Sequence, residues 1–122
     1  LNKSVVKNWE RLKEKMVELE GVEIVVKKRY ITIMYGSKNI SFFNFQKEKI
    51  KIELNRGNIH TDGKKSRNFF VIDDPKNISV ENTWTYKNGV GGGIYSINFY
   101  KDTDIEYLMF LIKQKYKNIL NL

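Results

Sequence analysis

The chain has 122 residues, 22 of them basic and 14 acidic, for a net charge of +8. No cysteine is present and His60 is the sole histidine, which excludes disulfide frameworks and zinc sites built from Cys and His. No apolar run approaches the ~18 residues of a membrane span and no signal-like segment opens the chain, so no membrane partner is expected. The size fits one domain over residues 1–122, able to bury roughly two-thirds of its unfolded surface without a metal staple. The missing cysteines fit a reducing, cytoplasmic setting. Because the chain opens at Leu1 and not at a methionine, it is expected to be a piece of a longer protein.

The positive charge favours anionic partners through steering and counterion release. Nearly all of the excess is lysine, with only Arg11, Arg29, Arg56 and Arg67 as arginines. Base readout and bidentate phosphate clamps favour arginine, so a lysine surplus is the less specific kind. A polyanion-binding face and a generally solvated, Lys-rich surface both stand as readings.

In chain order, Ser4 is positioned to cap a first helix, in which Val5, Trp9, Leu12, Met16 and Leu19 make one apolar stripe. Trp9 on that stripe reads as a core anchor, Arg11 with Glu14 and Lys15 with Glu18 as surface pairs, and Gly21 as the stop. Val22–Val26 is a short β-prone run ended by Lys27-Lys28-Arg29, a phosphate contact or a charged hairpin turn. Three β-rich runs follow, Tyr30–Tyr35, Ile40–Phe45 and Lys49–Leu54, split by Gly36-Ser37-Lys38-Asn39 and by a charged turn. Ile50, Ile52 and Leu54 alternate with Lys49, Lys51 and Glu53, which predicts a sheet with one face on a core and the other in water.

From Asn55 to Arg67 the text turns to loop chemistry, with a tight turn at Asp62-Gly63 and a second basic cluster, Lys64, Lys65 and Arg67, on a flexible element. His60 lies there with no nucleophile or acid to orient it. Phe69–Ile72 is an apolar run, after which Asp74 and Pro75 suit the start of a short helix through Ser79. Trp84 and Tyr86 fall in the least regular stretch, as a lid on one end of the core or as a platform for stacked bases. Gly89-Val90-Gly91-Gly92-Gly93 reads as a hairpin loop before a last strand, Ile94–Tyr100. It is not a phosphate loop, since no helix and no Lys-Ser or Lys-Thr follows it. A closing helix is signalled by a Thr103…Glu106 capping box and a stripe of Ile105, Leu108, Met109, Ile112, Tyr116 and Ile119. Lys113, Lys115 and Lys117 gather near its end, where cations suit the dipole. The expected fold is α+β: an N-terminal helix, an antiparallel sheet of about four to five strands, and a C-terminal helix packed on the sheet.

Asp62-Gly63-Lys64 and Asp74-Pro75-Lys76 have the spacing of a restriction-type metal site, but both fall in turns and not on a strand. Paired carboxylates on one face, a Ser-His-Asp set and a nucleophilic cysteine are also missing from the text, so neither catalysis nor a cofactor is expected.

The chain resembles the DUF5655 domain family at Tyr30-Ile31-Thr32, Asn39-Ile40, Lys49-Ile50-Lys51-Ile52, Asp74-Pro75, Asn77-Ile78, Trp84, Gly92 and Tyr107–Ile112, with Tyr116 as the terminal tyrosine. The likeness runs over roughly residues 9–117, and its motifs are structural in kind. Where that family often shows Gly-His-Trp-Gly, this chain has Asn82-Thr83-Trp84-Thr85. The resemblance implies an accessory module, often C-terminal to restriction-type nuclease or DUF262-like modules. Some members carry the label predicted transport protein, which a chain without a span does not support. The expectation is a non-catalytic domain that contacts DNA or RNA, or a partner nuclease domain, through Lys27, Lys28, Arg29, Lys64, Lys65 and Arg67, with Trp84 and Tyr86 as stackers. The alternative is a protein–protein module, such as a homodimerisation domain.

Overall fold

The computed structural model describes residues 2–122. Its elements run α1 (Lys3–Met16), β1 (Val22–Val26), β2 (Ile31–Tyr35), β3 (Lys38–Phe45), β4 (Ile50–Asn55), β5 (Ser79–Thr85), β6 (Gly91–Phe99) and α2 (Ile105–Leu120). The fold is α+β as expected, but the sheet has six strands and not four or five. The order is β1-β2-β3-β4-β6-β5, and every pairing is antiparallel. The additional strand is β5. It holds Trp84 and Thr85, which the sequence placed in irregular chain.

The expected alternation decides which face is buried. Ile31, Phe43, Ile52 and Ile97 are successive partners across β2, β3, β4 and β6, and Phe45, Ile50 and Phe99 form the next row. These rows meet Val5, Trp9, Leu12 and Met16 of α1 and Leu108, Met109, Leu111 and Ile112 of α2 in one core. Each fully buried Ile or Leu contributes roughly 1.5–3 kcal/mol. Trp9 is the core anchor the stripe implied, with its ring 5.2 Å from those of both Phe43 and Phe45. The opposite face carries Lys51, Glu53, Phe42 and Asn44, and no helix covers it. Register on β3 is shifted between its pairings to Ile33 and Met34, so that Ile40 also turns into the core.

The helix ends differ from the sequence expectation. Asn2 caps α1, because its extended backbone lets the side chain accept from Val5 N at 3.1 Å; Ser4 already lies in the first turn and donates to Asn2 instead. The helix stops at Met16, and Gly21, at φ +81°, closes the turns that follow. On the surface of α1 the ion pairs are Glu10–Lys13 and, across to α2, Lys15–Glu106. Asp104 and not Thr103 caps α2, accepting from the N–H groups of Glu106 and Tyr107. Thr103 Oγ1 accepts from Tyr100 N at 2.9 Å.

No helix forms after Pro75. Asp74 accepts from the N–H and O–H of Ser79 and from the Tyr107 hydroxyl, which ties the start of β5 to α2 and leaves Asn77 at φ +51°. Burial pulls the Asp74 carboxyl upward in pKa, but the hydrogen bonds from Ser79 and Tyr107 outweigh it and hold the group below its ordinary value. Among the described residues no helix is long and apolar enough to cross a membrane.

Candidate nucleic-acid interface

The sheet separates the residues singled out from the sequence into two places. Lys27, Lys28 and Arg29 form the exposed β1–β2 turn, closed by Lys27 N donating to Tyr30 O at 2.8 Å. This turn lies at the end of the sheet where β6 finishes. Lys64, Lys65 and Arg67 lie at the other end, where β6 starts, since Ile59 bridges both Lys65 and Gly91. The registers leave the two clusters roughly 20 Å or more apart along the strand direction. They cannot share a short stretch of ligand.

Trp84 and Tyr86 belong with the second cluster. Trp84 pairs with Gly92 on the face that no helix covers, and its ring meets that of Tyr86 edge-on at 6.1 Å and 87°. Both aromatics remain exposed, at 42% and 46%. A shallow groove of about 230 Å³ runs between them and the loop, lined by Asn55, Asn58, Ser66 and Asn68 with no acidic side chain. The nearby carboxylates are otherwise engaged: Asp62 accepts from Lys64 N, and Glu81 pairs with Arg56 at 3.3 Å.

The loop is not the free element its composition suggested. Asn58 and Ser66 exchange two hydrogen bonds of 2.9 Å, Phe70 N donates to Arg56 O at 2.7 Å, and Asn118 of α2 donates to Phe69 O. Lys64 and Lys65 therefore project from a backbone braced against the sheet and α2. Lys65 Nζ lies 4.8 Å from the Phe69 ring. His60 is exposed and joins this structure through its backbone, accepting from Gly63 N in the expected tight turn.

Gly89 and Val90 lie in the β5–β6 hairpin turn as expected, but Gly91, Gly92 and Gly93 belong to the strand β6, and the last two are explained by packing on its two faces. A Cβ at Gly92 would run into the Trp84 indole, and one at Gly93 would sit 2.5 Å from the Arg56 guanidinium carbon. Arg56, 7% exposed, is held between Gly93 and the Phe69 ring at 5.2 Å. Among the described residues its Nε has no hydrogen-bond partner. Sequence reading missed Arg56. It also grouped Lys115 with Lys113 and Lys117 as cations suited to the helix end, whereas Lys115 is buried on α2, with its Nζ donating to Asn68 O and Asn118 Oδ1. Burial pushes that ammonium down to about 8. Lys115 follows Leu108, Leu111 and Ile112 on the helix stripe, which is the signal that would have placed it inside.

Neither catalytic-looking Asp-x-Lys triplet lies on a strand, and among the described residues no three of His, Asp and Glu gather as ligands for a metal. No family model, curated protein or solved structure matches the chain.

Proposed function

We propose that this protein is a non-catalytic accessory domain that binds single-stranded nucleic acid at the sheet end bearing Lys64, Lys65, Arg67, Trp84 and Tyr86. The observation that carries the reading is the convergence there of two exposed aromatic rings, a braced basic loop and a groove without acidic side chains. Stacking suits unpaired bases, because a duplex keeps its ring faces covered. Lysines give phosphate contacts without base selection, so weak sequence preference is expected. The resemblance to DUF5655 domains adds a setting for such a module, beside a nuclease in a longer protein. Lys27, Lys28 and Arg29 are too distant to belong to this face and act as a solvated turn.

Fluorescence anisotropy with labelled single strands and duplexes, of DNA and of RNA, tests the reading. The expected result is tighter binding to a single strand, weakening steeply between about 50 and 200 mM salt. Binding that ignores salt, or that is equal for duplex and single strand, would overturn it. A second reading rests on β5, which pairs only with β6 and exposes Val80 at 58%. Its free edge suits addition of a strand from another copy, and a dimer in light scattering that survives high salt would favour that reading.

A further inference from the structure

A second concavity lies behind the loop, between the C-terminal half of α2 and the β2–β3 turn. It encloses about 530 Å³, within the range of small-molecule sites. Three cations line it, Lys38, Arg67 and Lys115, together with the hydroxyl-bearing Ser37 and the amides Asn39 and Asn55. No Asp or Glu side chain does. Among the described residues none of the three cations forms an ion pair.

Lys115 is the member that needs explaining. Its side chain is 1% exposed, and a buried ammonium is costly unless it is paired and its donors are satisfied. Two of its three N–H groups are taken, by Asn68 O at 3.4 Å and Asn118 Oδ1 at 3.2 Å, and the Phe70 ring lies 5.3 Å away. One donor is left over, and the two acceptors are neutral. A role limited to bracing Asn68 would be met by an uncharged donor. The surplus of charge around a roomy pocket calls instead for a dianion.

We propose that this pocket binds the phosphate monoester group of a small organic molecule, with Lys38, Arg67 and Lys115 neutralising its charge and Ser37, Asn39 and Asn55 donating to its oxygens or to the attached body. The apolar side chain of Ile119 forms part of the wall against which an uncharged body can lie. The monoester can come from a free sugar phosphate or from the phosphorylated end of a strand. The site does not depend on the strand-binding reading, because Lys38 and Lys115 lie outside that face.

Calorimetric titration of the full chain with ribose phosphate, with ribose, and with one oligonucleotide with and without a terminal phosphate tests this. Ribose phosphate is expected to bind and ribose is not. Lys38→Ala and Arg67→Ala, both at exposed positions, are each expected to weaken binding about tenfold, and Lys115→Met to abolish it. A gain from the terminal phosphate of the oligonucleotide identifies strand ends as the source; a gain for ribose phosphate alone identifies a metabolite. The inference is overturned if neither phosphate adds affinity, or if Lys38→Ala binds as the parent does. Strand binding in a chain to which neither ribose phosphate nor the terminal phosphate adds affinity would overturn it while leaving the proposed function standing.

Discussion

Lys27-Lys28-Arg29 and Lys64-Lys65-Ser66-Arg67 are nearly the same words in the sequence, and the fold puts them in different physical situations. The first is a hairpin turn with water on every side. The second is mounted on a loop tied to β6, to Arg56 and to α2, with two exposed aromatics on one flank and a cationic pocket on the other. Charge on a free turn attracts any anion weakly, whereas charge on a fixed frame beside stacking surfaces can hold one geometry. The surroundings, and not the lysines, make the difference between a solvated turn and a candidate site.

The largest effect that separates the two regions is expected from pH. Lys115 titrates near 8 in the folded chain and near 10.5 unfolded, so the unfolded state binds more protons between those values. Stability contributed by this group therefore rises with pH from about 8 to about 10.5, and the full cost, about 3 kcal/mol, applies below pH 8. Lys115→Met removes the buried charge. It is expected to be more stable than the parent at neutral pH, by less than that figure because two hydrogen bonds go with the charge, and the gap should close as pH rises. Denaturant unfolding of both chains at several pH values measures it; a gap that does not change with pH would show that the ammonium is not desolvated.

The next effect compares the clusters directly. Replacing Lys64, Lys65 and Arg67 by Ala removes three phosphate contacts, each carrying about 0.7 of the slope of log K against log salt on a single strand. At about 0.1 M salt this amounts to roughly a hundredfold loss of affinity. The same triple change at Lys27, Lys28 and Arg29 is expected to cost only a few-fold, through the general field. Equal losses in anisotropy titrations would mean that net charge, and not the braced loop, governs binding.

Much of the fold was legible because a buried face leaves a period. Ile50, Ile52 and Leu54 announced the sheet, and the stripes of α1 and α2 announced the helices. β5 was not legible, since Val80 to Thr85 are all exposed and the strand is defined only by its pairing with β6. The glycines of β6 misled for a related reason. Glycine is a poor strand former by itself, and here its use depends on two side chains distant in sequence, Trp84 and Arg56, that lie against it. The two basic clusters could not be told apart, because sheet order and not spacing decides which end each occupies.

Those glycines give the third test. Gly93→Ala forces its methyl against Arg56, which is enclosed between the strand and Phe69 and has no room to yield, so a loss of about 1–3 kcal/mol is expected in denaturant unfolding. Gly92→Ala meets Trp84 on the uncovered face, where the indole can swing away, and should cost less than about 1 kcal/mol. If the order reversed, the Arg56 side of β6 would be the more tolerant one, and the guanidinium could not be what braces the loop.

The smallest effect is the most specific to the proposed interface. Trp84→Ala leaves the core intact, because the indole lies 42% exposed on a strand edge and not among the buried side chains. Thermal unfolding should barely move. Affinity for a single strand should fall about tenfold, at the low end of the ~1–3 kcal/mol that a stacked base contributes. Trp84→Phe should restore part of the loss, since a ring face is present again, while the slope against salt stays as in the parent chain because no phosphate contact has changed. Trp9→Ala is the contrasting control: the same residue type, buried against Phe43 and Phe45, is expected to cost roughly 3–5 kcal/mol of stability. A Trp84→Ala chain that binds as tightly as its parent would reduce this end of the sheet to electrostatics alone, and the two lysine clusters would then differ in their bracing but not in what they recognise.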